Sequence, residues 1–274
     1  MLPWSRGLRK EFLPLFDPGR NGEPLLKPIA HRVLESLVGA GVTDATLVVR
    51  PRDLAFVQEY FTVDPAFLAR HAHHRQRLTE TRRFYDELRK LRIRFALQPH
   101  PLGFGDAVLR AEPYIGAEPF LIQASDGFIV EGSPGATHRA MWDLLTAERL
   151  DAVLLVRRVG DPRRYGVVEA KPLGRFRGRR RLRVERVTEK PPRPRSHWAA
   201  TAVYAFSSRI FDALGSARSA TSGRSELELT AGIQQLIDSG GEVNALVLEP
   251  STAWRSVGSP NGYLKALLAS RSRP

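Results

Sequence analysis

The sequence contains no cysteine. That excludes a disulfide framework and any cysteine-ligated metal or redox centre. No apolar run approaches the ~18–20 residues that span a bilayer. The opening MLPWSRGLRK lacks the apolar stretch of a secretion signal. A cytoplasmic location with no membrane partner is therefore expected. Internal repeats and long low-complexity linkers are also missing, so one domain over residues 1–274 is expected. Acidic residues are scarce: 29 Asp and Glu stand against 42 Lys and Arg, a net charge of +13.

That imbalance suits a polyanionic partner or a phosphorylated small molecule. The densest basic cluster, residues 175–186 (RFRGRRRLRVER), interleaves Phe176, Leu182 and Val184 with arginines. The alternation predicts strands or a hairpin with a solvated basic face. Stacking aromatics of RNA-binding sheets, zinc-finger spacings and a helix-turn-helix pattern are absent, so nucleic acid is not the expected partner. A nucleic-acid-binding protein is kept as the third reading of function; it predicts steeply salt-dependent RNA or DNA binding.

Hydrophobic residues make up 42% of the chain, enough for a sizeable core. A turn-rich DPGRNGEP (17–24) precedes an amphipathic helix over 28–38, in which Ile29, Val33 and Leu37 recur four residues apart. Strands are predicted at 45–50 (ATLVVR), IRFALQ, PFLIQAS and AVLLVRR, with helical segments at 64–91 and 138–147 between them. Helix–strand alternation of this kind is the pattern of a parallel α/β sheet. From about residue 164 the pattern becomes short strands (YGVVEA, RLRVERVTE, AATAVYAF). The chain then closes with helix 226–238, strand 243–248 and helix 260–269. The expected fold is α/β: a Rossmann-like, mostly parallel sheet flanked by helices, with an added antiparallel layer.

Several constellations carry chemistry. QPHPLGFGDAV, from Gln98, follows a strand and opens a helix. Its Gly103 and Gly105 let backbone N–H groups approach a ligand at a helix N-terminus, although a G-x-G turn is also common without one. Asp126 closes the FLIQAS strand. Ligands of open α/β sheets lie beyond the carboxyl ends of strands, where a carboxylate can hold Mg2+ against phosphate; an ordinary turn or cap residue is the alternative. Glu189 and Lys190 are adjacent, and most such pairs are solvated ion pairs. His71, His73 and His74 lie close in sequence, with no nearby third ligand and an arginine-rich context.

Taken in order, LRKEFLPLFD, QPHPLGFGDAV, FLIQASDGF, RYGVV, VTEKP, SELELT and WRSVGSP resemble the sugar-1-phosphate nucleotidyltransferases. The resemblance runs from Leu2 to about Leu267 and is nearest to the UTP–glucose-1-phosphate uridylyltransferase branch. It implies the α/β fold of nucleotide-diphospho-sugar transferases and Mg2+ as cofactor. UTP or dTTP and a sugar 1-phosphate are the implied substrates, UDP-glucose the first expected product, and a homo-oligomer a further possibility. By likeness, Gln98, Gly103 and Gly105 contact the base, Asp126 binds the metal, and Lys10 neutralises triphosphate charge. Glu189 accepts from sugar hydroxyls, Lys190 pairs the sugar phosphate, and Gly166 lies against the sugar.

Four departures stand out. Arg9 and Phe12 replace the proline and methionine of the family's P-K-E-M-L-P. Asp106 stands where many relatives carry histidine. Ser256 occupies the position of a second metal-binding aspartate, and a neutral hydroxyl is a poor substitute there. The family also opens with a strand and a glycine-rich loop ending in a reactive arginine, whereas this sequence begins Met1-Leu2-Pro3. Two expectations follow: a strand and loop encoded upstream of residue 1, or a non-catalytic relative that binds nucleotide sugar or a partner.

Overall fold

The computed structural model describes residues 9–18, 24–72, 75–220 and 225–271. In chain order the elements are β1 (Pro14–Pro18), β2 (Pro24–Pro28), α1 (Ile29–Gly39), β3 (Asp44–Val49), α2 (Leu54–Tyr60), α3 (Pro65–Arg70), α4 (Arg75–Leu88), β4 (Arg92–Leu97) and α5 (Phe104–Ile115). They continue with β5 (Phe120–Gln123), β6 (Gly127–Val130), α6 (Ala136–Ala147), β7 (Ala152–Arg158), β8 (Gly166–Phe176), β9 (Arg179–Glu189) and β10 (Trp198–Phe206). Last come α7 (Arg209–Ala220), α8 (Leu229–Asp238), β11 (Val243–Val247), β12 (Ala253–Ser256) and α9 (Pro260–Arg271).

The central sheet has six strands in the order β5-β10-β7-β11-β9-β8. The period-two pattern of its strands serves both faces. Leu154 and Val156 of β7, Tyr204 and Phe206 of β10 and Ala245 of β11 pack with Ile210, Phe211 and Leu214 of α7 and Ile233 and Leu236 of α8. The alternate residues Val153, Leu155, Val203, Ala205 and Leu246 pack beneath Met141, Leu144 and Leu145 of α6. Each side chain in this second set is at most 2% exposed. Burial of Leu or Val at this depth contributes about 1.5–3 kcal/mol per side chain before entropy is counted.

The fold is thus α/β, with a central sheet flanked by helices. The share of parallel pairing is smaller than a mostly parallel sheet requires. Among the described residues β7–β11 and β3–β4 are parallel, while the other pairings run antiparallel. The reason lies in the connections. β8 and β9 join through the tight turn at Arg177 and Gly178, and β10 follows β9 without a crossover helix. Parallel neighbours need such a crossover. The helical region expected over 64–91 comprises two helices, α3 and α4, and α7 was not anticipated.

β3 and β4 form a sheet of their own. β5 pairs on one side with β10, and β3 pairs on one side with β4. Between β3 and β5 lies a groove of about 1080 Å³. Its walls include Val33, Leu34 and Leu37 from α1 and Ala107, Val108 and Ala111 from α5, and Lys10, Glu11, Phe12 and Asp126 line it as well.

No helix among the described residues is long and apolar enough to cross a membrane.

Candidate active site

β5 ends at Gln123, and Asp126 follows at the carboxyl end of the strand. Its backbone oxygen accepts from Val257 N at 2.9 Å, which ties it to the WRSVGSP segment. Lys10 Nζ donates to Asp126 Oδ2 at 2.5 Å. Ser256 ends β12, and its Oγ accepts from Gly258 N at 3.3 Å. A Cβ on Gly258 would lie 3.3 Å from Asp126 Oδ2 and 3.5 Å from Ser256 Oγ. Lys10, Asp126 and Ser256, drawn from three distant motifs, therefore meet around one small space. A bulge in β10 between Ala200 and Tyr204 lies alongside, where Ala202 O accepts from Ala124 N at 3.0 Å.

The second cluster surrounds the turn into α5. Gly103 has φ +101, and a Cβ there would sit 2.4 Å from Leu227 O. Only glycine tolerates both conditions. Leu227 N donates to Leu102 O at 2.7 Å, and Gly105 N donates to Leu227 O at 2.8 Å. The Gly105 amide is thus spent on the SELELT segment, and a Cβ there would lie 2.9 Å from Leu214 Cδ2 and Leu227 O, a protein reason for a glycine that was predicted to face a ligand. Gln98 Nε2 donates to Gly103 O at 3.0 Å and to Asp106 Oδ2 at 2.8 Å. Asp106 is fully buried and receives Arg218 on its other oxygen. Burial alone would raise its carboxyl, but hydrogen bonds from Gln98 and Arg218, with the charges of Arg110 and Arg218, hold it below the ordinary carboxylate range.

The third cluster joins β8, β9 and α8. Lys190 Nζ lies 2.8 Å from Glu189 Oε1 and 3.8 Å from Glu228 Oε1. The hydrogen bond to Glu189, reinforced by the charges of Glu189 and Glu228, raises the Lys190 ammonium against its partial desolvation. Burial, with the neighbouring Glu189 charge, raises the Glu228 carboxyl. Lys190 has φ +39, and its N–H donates to Tyr165 O at 3.0 Å. A left-handed lysine costs on the order of 1–3 kcal/mol and persists where the surroundings impose it, often at functional sites. A Cβ on Gly166 would meet Thr230 Cγ2 at 2.8 Å and Glu189 Oε2 at 3.3 Å. The protein itself thus accounts for this glycine.

Leu227, Glu228 and Thr230, at the start of α8, connect the second and third clusters. Phe104, Lys10 and Asp126 line one groove, which connects the second with the first. Sequence reasoning quoted SELELT without assigning its residues. It missed Arg218 altogether, since nothing near an arginine in SARSA signals a buried aspartate 112 positions away.

The other expectations also have outcomes. The basic cluster is the β8–β9 hairpin, with Arg181 on Glu148, Arg177 on Asp143 and Lys171 on Glu185. His71 Nδ1 is at 2.9 Å from Phe67 O, while His73 and His74 lie outside the described residues. His31, Glu35 and Glu87 are close enough to share an ion, but Lys27 Nζ already sits 2.7 Å from Glu35.

A family profile described as nucleotidyl transferase matches residues 18–273. The chain belongs to that family. A glucose-1-phosphate thymidylyltransferase of Streptomyces griseus is 30% identical over 239 residues, which cover 87% of this chain and 56% of the relative. One of Neisseria meningitidis is 24% identical over 259 residues, covering 94% and 74%. The chain thus spans little more than half the length of the Streptomyces relatives it matches. Among solved structures, an apo UDP-glucose pyrophosphorylase superposes with a TM-score of 0.83 at 19% identity, covering 99% of this chain and 93% of the other. A UTP-bound enzyme of Acinetobacter baumannii gives 0.77 at 23%, covering 98% and 87%. At such identities the structural likeness establishes the fold alone.

Proposed function

We propose that this chain catalyses nucleotidyl transfer from UTP or dTTP to a sugar 1-phosphate, glucose 1-phosphate first among them. A phosphate oxygen of the sugar 1-phosphate attacks the α-phosphorus of the triphosphate. The bond from that phosphorus to the bridging oxygen breaks, pyrophosphate leaves, and a nucleotide sugar forms. The observation that carries the reading is the Lys10–Asp126 pair at the carboxyl end of β5.

Such transfer needs positioning and charge neutralisation rather than a protein nucleophile. Lys10 is in place to turn from Asp126 to the triphosphate. Lys190 offers a compact charge to the sugar phosphate, and Glu189 offers carboxylate oxygens to sugar hydroxyls. Gln98 faces the base. Asp126 and Ser256 would hold Mg2+. One carboxylate and one hydroxyl suit an ion that is ordinarily bound by one or two carboxylates together with substrate phosphates and water. The Lys10 ammonium already marks the carboxylate as a cation position. When bound, the ion neutralises phosphate charge.

The groove between β3 and β5 supports a strand supplied by polypeptide preceding residue 1. Both facing edges are unpaired among the described residues, and Lys10–Phe12 line the groove. That segment would also bring the phosphate-cradling loop. Appending the in-frame upstream residues should raise Tm; an upstream stop codon or an unchanged Tm removes this part.

The deciding experiment incubates the protein, as given and extended, with Mg2+, glucose 1-phosphate and UTP or dTTP. Pyrophosphate release and a nucleotide sugar by mass spectrometry are expected, with release lost in Asp126→Ala. No release from either form sinks catalysis. The second reading, a non-catalytic relative, draws on Ser256, whose neutral hydroxyl stands close to Asp126. It predicts UDP-glucose binding without pyrophosphate release.

A further inference from the structure

The Gln98 carboxamide is locked in one orientation. Its Nε2 carries two hydrogens, and both are committed: one to Gly103 O at 3.0 Å, the other to Asp106 Oδ2 at 2.8 Å. Neither partner can donate. The first is a backbone carbonyl, and the second is a carboxylate held ionised by its arginine neighbours. Exchanging the amide oxygen and nitrogen would therefore set oxygen against oxygen twice. The orientation is dictated by the partners. Asp106 is itself fixed, fully buried in the first turn of α5. Arg218 of α7 binds its other oxygen, and Arg110 lies 3.5 Å from the same atom.

What remains of Gln98 for a ligand is Oε1. No described residue donates to it, and Gln98 is only half-buried. It can only accept. We infer that Asp106 is a positioning residue for base selection: by holding both hydrogens of Gln98 Nε2 with Gly103 O, it leaves a pure acceptor that selects a base with a ring N–H. Uracil and thymine present an imide N3–H. Cytosine presents a lone pair at the same ring position, and two acceptors facing each other lose the hydrogen bond and gain repulsion. The inference rests on the nucleotide-binding part of the reading above, not on catalysis.

The test is equilibrium binding of UTP, dTTP and CTP with Mg2+ to the full chain, wild type and Asp106→Asn. In that variant the new carboxamide would turn its oxygen towards Arg218 and Arg110 and its NH2 towards Gln98. Gln98 would then be caught between that NH2, which favours its Oε1, and Gly103 O, which still favours its Nε2, so neither orientation is held and acceptor and donor are both presented to the base. Wild type should bind UTP and dTTP about tenfold or more tightly than CTP, the size of one good hydrogen bond to a charged network. In Asp106→Asn that ratio should fall to near one. A merely structural role would weaken all three alike. Arg218→Gln, at a half-exposed side chain, serves if Asp106→Asn does not fold; it loosens Asp106 and should lower the ratio several-fold. Equal binding of UTP and CTP by wild type, a ratio unchanged in the folded variant, or no binding of any of the three overturns the inference. Wild type that selects UTP yet releases no pyrophosphate leaves it standing while catalysis fails.

Discussion

In β7, Ala152 to Val156 are completely buried, with successive side chains under α6 on one face and under α7 and α8 on the other. In β3, a strand of similar apolar composition, Ala45 to Val49 are only half-buried. The two strands differ in their neighbours. β7 has a hydrogen-bonded partner on each side, whereas β3 has β4 on one side and an open groove on the other. The front of the molecule has smaller apolar clusters, around Leu15 and Ile29 and around Leu34 and Phe84, and adds ion pairs to them: Arg9 and Arg50 on Asp53, Lys27 on Asp17 and Glu35, and Arg32 on Asp17. Apolar sequence alone therefore does not make a core; a strand needs cover on both faces and both edges. The proposed chemistry sits on the boundary, with Asp126 on the rear sheet and Lys10 at the front.

The largest expected effect contrasts the same substitution in both regions. Leu154→Ala removes a fully buried side chain and should cost about 2–5 kcal/mol. Leu47→Ala, on the groove wall, should cost roughly 1 kcal/mol, because part of that side chain already faces open space. Chemical denaturation measures both. Equal costs would break the comparison.

This contrast was hidden in the sequence, where ATLVVR and AVLLVRR read alike. Alternation revealed each strand's existence but not its neighbours, so the open groove and the small share of parallel pairing emerged only from topology. Helix α7 escaped because RIFDALGSARSA mixes glycine, serine and alanine into a weak apolar stripe. The candidate site was more legible. Lys10, Asp126, Gln98, Gly103, Glu189 and Lys190 fall in short motifs whose order survives in the resemblance, and the structure gathers them as three linked clusters. What stayed hidden was long-range pairing: Arg218 with Asp106, and Leu227 over the glycine turn. The glycines also have a reason the sequence did not show: packing against Leu227 and Thr230 requires them, whatever ligand they meet.

An acid-range experiment sharpens the rear side. His138 of α6 is fully buried, with Nε2 on Gln123 Oε1. Gln123 Nε2 already donates to Gly127 O, so its oxygen must accept and His138 Nε2 must carry the hydrogen. Nδ1 is then the bare nitrogen, buried without a partner. A second proton would have no acceptor, and burial pushes this imidazole down from 6.5 to about 4. The folded state thus resists a proton that the unfolded chain takes up. Stability from the neutral imidazole is complete above pH 6.5, declines as pH falls, and is lost by pH 4, by roughly 3 kcal/mol. His138→Gln should remove that part of the acid sensitivity when Tm is followed from pH 7 to 4. A variant curve parallel to wild type would show that the imidazole is not neutral in the fold.

The smallest effect tests the latches of the front. Asp53 accepts from Arg9 Nε at 2.8 Å and from Arg50 Nε at 2.6 Å, and the Arg9 guanidinium lies 4.1 Å over the Phe56 ring. Burial works to raise this carboxyl, but the hydrogen bonds from Arg50 and Arg9 outweigh it and lower it. Asp53→Asn removes the charge while keeping the shape. Both arginines retain contact with water, so neither is left as an unpaired buried ion, and the cost should be about 1 kcal/mol. Wild type should lose only part of this advantage as ionic strength rises towards 1 M, because Asp53 is largely buried and such pairs are screened much less than exposed ones. The apolar packing around β7 has no such dependence, so Leu154→Ala should keep its full cost at every salt concentration. If Asp53→Asn keeps its cost wholly undiminished in high salt, this latch acts through hydrogen bonding and packing rather than through charge, and the two halves differ less than their burial implies.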